Sequence, residues 1–461
     1  MKLVNRYVRE EKPFTKKSLF NELGLEGARG EKVLSLLLSC GALSAAPLRD
    51  EFKFNFVGVL VAGNLVIRCF PKYITKKKPV IEFEQALSVI RHYEKESKTD
   101  IRLTGEQKRT AFDLLAECLS LLENYAEHGI YSNITHEVEN NGSGDILWDR
   151  TINMSEPFFC DGSPVYIDLH TRRVVDDDQN YITRLHKHII TECSDILKKA
   201  DILLLFGMVP LYLSDEPRDH FGPDDYIMER LRAELDVQFD SYKQSLLRDM
   251  IRFIEQRNTL LQDMPLMLYG TTSFAHVWEA VCKKALNDQL DTPLNKLELP
   301  QTLATNYKPR KKLIELIEKP RWFLEGVERF AKTLKPDLAT FFIRDGETVF
   351  CIFDAKYYVY EKSATGMPGI GDIDKQYLYE LAFKPFLTEH GITQVKNIFL
   401  MPTEGESVEY KGYVEFGILK KLGLENIQIV LVPAKEIYDV YLGKIRYEKS
   451  YFINMILSNI G

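Results

Sequence analysis

The spacing of apolar residues along the chain switches between helical and strand periods, and the switches outline its elements. Near the start, Thr15 to Ser18 offer a helix start before Leu19, Phe20 and Leu23, and residues 31–39 (EKVLSLLLS) form a second apolar helix. Residues 52–74 then alternate as two strands around Ala62-Gly63-Asn64, a hairpin signal. Helix, helix, hairpin fits a winged helix that touches DNA, and fits a small α+β adaptor equally well. From 81 to 128 the period is helical, with Phe112, Leu115, Leu119 and Leu122 on one stripe that reads as core. A polar stretch follows at 133–152, where Asn140 to Gly144 read as a loop or boundary. Residues 180–260 are again mostly helical, interrupted at 213–225.

After residue 265 the pattern changes. It predicts a helix at 274–287, an irregular basic segment at 306–322, and two apolar runs joined by Arg344-Asp345-Gly346-Glu347. A Gly-rich loop (365–371), a helix (372–387) and strands near 395–402 and 427–434 come next. The fold class expected is α/β: a C-terminal nuclease-type domain with a mixed sheet flanked by helices, preceded by an α+β N-terminal region and a largely helical middle region. The expected divisions are 1–80, 81–264 and 265–461.

Composition narrows this picture little. With 461 residues, 45% hydrophobic and 28% charged, the chain reads as globular and multidomain. No apolar run is long enough to span a bilayer, and the N-terminus lacks an apolar leader, so the expectation is a cytoplasmic protein with no membrane partner. The seven cysteines include no CxxC pair, which argues against a disulfide framework or a structural zinc site. A net charge of −7 leaves room for a local basic surface.

The chemistry gathers in residues 334–358, LKPDLATFFIRDGETVFCIFDAKYY. Asp354 and Lys356 share one strand face, and an antiparallel hairpin returns Asp337 to their side. Two adjacent carboxylates repel unless a cation lies between them, and a hard divalent ion suits oxygen ligands best: Mg²⁺, with Mn²⁺ as a substitute. Lys356 would then orient a metal-bound water or help deprotonate it. This is the PD-(D/E)xK nuclease signature, set against the plainer reading of a surface salt bridge. Glu279, on the preceding helix, is a candidate to complete the metal shell, or is an ordinary solvated glutamate. His276, one turn earlier, suits packing or substrate positioning. Gln376 either hydrogen-bonds a phosphate or the Lys356 region, or serves packing. Lys308, Arg310, Lys311 and Lys312 are candidates for phosphate-backbone contact, or form a solvated charged face. His186 and His188 would not share a helix face and are not expected to bind metal. No GxxxxGK[ST] occurs, so no P-loop nucleotide site is expected in this chain.

Several of these stretches resemble one family. Glu279, Pro336-Asp337, Asp354-Ala355-Lys356-Tyr357 and the helix carrying Gln376-Tyr377 resemble the nuclease domain of McrC proteins. The strand pair FVGVLVAGNLVIRCFPKY, ending in Pro71-Lys72, resembles their N-terminal pattern, and GDILWDRTI (144–152) resembles the LlaJI-type branch. The resemblance implies the endonuclease subunit of an NTP-dependent, two-component restriction system. Its implied partners are double-stranded DNA and a McrB-like AAA+ GTPase ring, whose GTP hydrolysis it would stimulate. It also implies that Asp337 and Asp354 bind the metal with help from the Ala355 carbonyl, and that Lys356 is the catalytic lysine. Double-strand cleavage needs two active sites, so homodimerisation on DNA is expected. Two other functions stay open: a self-sufficient restriction or repair nuclease, and a non-catalytic GTPase-activating assembly subunit.

Overall fold

The computed structural model describes residues 4–46, 50–104, 114–132, 134–176, 179–257, 266–331, 333–360, 367–446 and 451–460. The chain divides into two compact units. One gathers the first three residues, Val61–Val66 and Arg109–Tyr269; the other gathers Val4–Leu60, Ile67–Lys108 and Gly270–Gly461.

The second unit is built on a five-stranded mixed sheet. Strand Leu338–Arg344 lies at one edge, antiparallel to Glu347–Ala355. Gln394–Thr403 follows, parallel to Glu347–Ala355; Ile427–Pro433 is parallel to it in turn, and Glu409–Val414 closes the far edge antiparallel. The edge hairpin forms where the sequence places it because Asp345 and Gly346 both take positive φ (51° and 83°), the two-residue turn whose twist matches the strands. Strand Glu347–Ala355 is buried along most of its length, as a strand covered on both faces should be. Helix Ile370–Glu389 connects it to its parallel neighbour. Their shared core includes Phe350, Ile352, Phe383 and Phe386. Helix Phe274–Ala285 packs against strand Glu347–Ala355 and against helix Ala434–Tyr441, with Trp278 fully buried.

The N-terminal part of this unit holds the two expected helices, Lys16–Leu23 and Gly27–Ser39. Thr15 caps the first by accepting the Ser18 N–H at 3.2 Å, and Gly24 ends it in the left-handed conformation. The hairpin beside these helices differs from the expected one. It is Leu43–Ala46 with Glu51–Phe54, joined by the short strand Pro13–Phe14. Residues 52–54 belong there, while Val57–Ala62 and Leu65–Phe70 flank the Gly63-Asn64 turn in another sheet, with Val4–Arg9 alongside Leu65–Phe70. The break falls at Asn55-Phe56, which lies in neither strand.

In the first unit, helices Leu114–His128, Tyr181–Lys199, Asp224–Val237 and Ser241–Arg257 pack through Leu115, Leu119, Leu185, Ile189 and Phe253. Leu115, Leu119 and Leu122 are buried as the stripe requires, while Phe112 lies outside the described residues. The polar stretch at 133–152 is more ordered than its composition suggests. Ile134–Asn140 and Asp145–Ile146 flank the turn at 141–144, and both pair with His170–Asp176 in one sheet; Trp148–Met154 is a helix. Phe158–Cys160 and Ser163–Val165 form a second hairpin. In Ile134–Asn140 and His170–Asp176 the described side chains are exposed or half-buried apart from the buried Thr171, and no apolar alternation announces the strands. His186 is fully buried and accepts the Tyr131 N–H, and burial pushes its pKa down to about 4, so it is a neutral core imidazole. All seven cysteines are free thiols.

The core predicts a stability effect. Phe350 is fully buried between Phe341 and Phe383, with ring centroids at 4.7 and 5.1 Å. Phe350→Ala should lower unfolding free energy by about 3–5 kcal/mol, read as a reduced denaturation midpoint at an unchanged slope.

Candidate active site

The register of the edge hairpin decides what meets at its open end. Leu338 pairs with Phe353, so the same register carried one residue further sets Asp337 opposite Asp354. Residues directly opposite point to the same face, and the two carboxyl groups lie within hydrogen-bonding reach of each other. The Ala355 N–H donates to Asp337 Oδ2 at 2.8 Å. Lys356, held to the sheet by its own N–H on the Leu400 carbonyl, extends over the same face. Its Nζ lies 3.0 Å from Asp354 Oδ2 and donates to Asp372 Oδ1 at 2.7 Å. Asp372 comes from the first turn of helix Ile370–Glu389. The three predicted residues Asp337, Asp354 and Lys356 therefore meet, and all three line one cleft of about 780 Å³.

The family model for the LlaJI restriction endonuclease matches residues 56–314 and 307–435. The chain belongs to the LlaJI restriction endonuclease family. A relative in Bacillus subtilis (strain 168), the type II restriction enzyme BsuMI component YdjA, is 26% identical over 426 residues, covering 89% of this chain and 84% of that protein. Two solved structures from Thermococcus gammatolerans align at 13% identity. One, a half-complex of McrB AAA+ hexamers with bound McrC, covers 99% of this chain and all of that chain at a TM-score of 0.40. The other, an McrBC complex, covers 56% of this chain and 89% of that one at 0.23. Likenesses this low carry no argument about fold or partner. Family membership makes the chain a nuclease-type subunit of a restriction system.

Within this LlaJI-family chain, the remaining candidates have other partners. Glu279 does not line the cleft. Its carboxylate pairs with Lys283 on its own helix and lies 3.8 Å from His276. Gln376 is fully buried between its helix and the sheet, donating to the Ile352 carbonyl at 3.3 Å. Beside it, Asn397 bonds Glu380 at 3.1 Å and the Gln376 carbonyl at 3.2 Å. The side-chain carbonyl oxygens of Gln376 and Asn397 have no partner among the described residues. Lys308, Arg310 and Lys312 are exposed, Lys311 is half-buried, and Lys312 pairs with Asp291 at 2.7 Å.

Residues from far along the chain complete the cleft. Glu10, immediately after strand Val4–Arg9, is buried in its wall, where it accepts the Tyr357 hydroxyl and the Lys72 N–H. Lys72 Nζ lies 4.7 Å over the Tyr357 ring and pairs with Glu11 at 2.8 Å. No local signal marks Glu10, because its role comes from a tertiary contact with Tyr357, 347 residues away. Asp372 stands in the first turn of its helix, where the positive end of the helix dipole favours an acid, and its contact with Lys356 comes from tertiary packing.

The electrostatics follow from burial and crowding. Burial, then the neighbouring Asp354, raises the Asp337 pKa from 3.8 to about 7. Burial likewise raises Glu10 from 4.5 to about 7, against its hydrogen bond from Tyr357. For Lys356 burial works downward, but the charge of Asp354 and the contacts to Asp372 outweigh it and hold the amine up at about 12. Lys356 is thus a cation at neutral pH. Among the described residues no group of three or more His, Cys, Asp or Glu side chains is arranged to hold a metal. Two carboxylates suit an ion such as Mg²⁺, which keeps several waters and takes only one or two protein carboxylates.

A pH dependence follows. Both raised carboxyls bind protons more tightly folded than unfolded, so their stabilising contribution is complete below about pH 4 and fades as pH rises through about 7. In metal-free buffer the melting temperature should fall between about pH 4 and 7 and level off above that. Asp337→Asn should remove one part of that slope and Glu10→Gln the other; an unchanged slope in both would contradict the assignment.

Proposed function

We propose that this chain is the Mg²⁺-dependent DNA endonuclease subunit of an NTP-driven restriction system, built on a PD-(D/E)xK core. The observation that carries the reading is the Asp337, Asp354 and Lys356 cluster at the open end of the edge hairpin, in a protein of a restriction endonuclease family. Asp337 and Asp354 would hold the ion, with the Ala355 carbonyl as a further oxygen donor. The bound ion supplies Lewis-acid stabilisation of the phosphorane charge and lowers the pKa of a water. The protein's own residues do the rest. Asp337 gives up its proton when a cation takes its place. Lys356, protonated, presents positive charge to the scissile phosphate rather than acting as a base. Asp372 fixes the ammonium through its 2.7 Å hydrogen bond.

The partner in this reading is a McrB-like AAA+ GTPase. The chain's lack of a P-loop supports it, as does its Bacillus relative being named as a component. A contacting surface is at hand in the first unit, where Trp148, Ile152, Met154, Phe158, Phe159 and Ile167 are all more than half exposed. Apolar exposure on this scale marks an interaction site.

Plasmid cleavage tests the reading. With Mg²⁺, GTP and the partner present, the parent should cut. Asp354→Ala should abolish cutting, and Lys356→Ala should reduce it by roughly 10²–10³-fold, the scale for losing one charge-stabilising group. Cleavage by the chain alone, without nucleotide, would point to a self-sufficient nuclease. Intact cleavage by Asp354→Ala would refute the site. Mg²⁺ should also raise the melting temperature more at pH 8 than at pH 6, and this gain should vanish in Asp337→Asn.

A further inference from the structure

Between the basic segment and the catalytic hairpin lies a small element that the site does not use. Arg321–Leu324 and Val327–Phe330 pair as a two-stranded hairpin around Glu325-Gly326, both at positive φ (52° and 78°). Every residue of its two strands is exposed, including Trp322 (56%), Phe323 (71%) and Phe330 (65%). An isolated hairpin of this size is marginal in water. Among the described residues this one is tied at its base, by the Ala331 N–H on the Pro320 carbonyl (3.0 Å) and Thr333 Oγ1 on the Glu318 carbonyl (2.6 Å). Large aromatics held out on such a frame need a second surface to cover them.

The register separates the two faces chemically. Arg321 opposes Phe330 and Phe323 opposes Glu328, and on that face Arg321 pairs with Glu328 at 3.6 Å. Trp322 opposes Arg329 and Leu324 opposes Val327, so the other face carries Trp322, Leu324, Val327 and Arg329 with no carboxylate. Arg329 pairs with no acid among the described residues. Charge says what covers this face. From 306 to 335 the chain holds nine Lys and Arg against four Glu, although the whole chain carries −7. A cationic segment with interleaved exposed apolar side chains complements a polyanion whose grooves admit apolar contacts.

Distance agrees. Seven residues separate Phe330 from Asp337, which even fully extended span at most about 25 Å. That is less than one turn of B-DNA, about 34 Å. We propose that the Trp322 and Arg329 face of the 321–330 hairpin grips double-stranded DNA within one helical turn of the scissile phosphate. Arg329 meets the phosphate backbone, and Trp322 lies against bases or sugars in the groove. The proposal rests on the nuclease reading and adds to it the element that holds the substrate.

The experiment uses the full chain, alone and with the motor subunit of its system, and a fluorescently labelled duplex in EDTA. Trp148→Phe leaves Trp322 as the one exposed tryptophan, since Trp278 is buried; duplex should quench its emission. Trp322→Ala should weaken duplex affinity at least tenfold with no change in salt dependence. Arg329→Gln should weaken it and flatten the slope of log K against log salt by about 0.9, the value for one lost phosphate contact. Phe239→Ala, an exposed aromatic in the other unit, should leave both unchanged. Unaltered affinity and slope in both hairpin variants would overturn the proposal while the parent still cuts. So would variants that keep DNA affinity but alter sedimentation, since the hairpin would then contact protein. A parent that neither binds nor cuts duplex would remove the nuclease reading itself, a failure seen before any hairpin variant is compared.

Discussion

Two carboxyl groups forced side by side dominate the working end of this protein. Asp337 and Asp354 are opposed by the register of one hairpin, and the Ala355 N–H holds the Asp337 carboxylate in place. Their mutual repulsion in a half-buried cleft must be relieved. In the ligand-free chain a retained proton on Asp337 and the ammonium of Lys356 do so. A divalent cation would relieve it more completely. In the proposed reading, the same crowding that costs stability as pH rises would favour a hard ion between the two carboxylates.

The sheet exists to hold that opposition rigid. Strand Glu347–Ala355 is flanked by Leu338–Arg344 and Gln394–Thr403, and helices Ile370–Glu389 and Phe274–Ala285 pack against it. Its fully buried Phe350, Ile352 and Phe353 resist displacement. Lys356 is fixed at both ends, by its N–H to Leu400 and by its amine between Asp354 and Asp372. The cleft wall is braced by the hydrogen bond from Tyr357, the residue after Lys356, to Glu10 near the start of the chain.

The apolar pattern made the catalytic hairpin legible because a buried strand must be apolar throughout and its turn must be one that small polar residues permit. Asp345-Gly346 satisfied the second condition, and the run from Val349 to Phe353 the first. The strands between 134 and 176 gave no such signal, since polar residues interrupt their apolar ones, as in Thr135 to Glu137 and Thr171 to Arg173. The hairpin at 321–330 was not foreseen either: the sequence read as an irregular basic segment at 306–322, and strands with every residue exposed show no buried face to mark them.

By itself the sequence determined the pairing of Asp337 with Asp354 and Lys356, because strand alternation and a tight turn are local properties. It also determined the family, through motifs that survive as short strings. The tertiary structure decided which distant groups join them. Glu10 and Lys72 enter the cleft wall from the N-terminal part, and Asp372 reaches Lys356 only because its helix begins beside the sheet. Glu279 and Gln376, equally plausible on the string, are turned instead toward Lys283 and into the helix–sheet core. A charged side chain takes the partner that packing brings within about 3 Å, and a linear sequence does not record that distance.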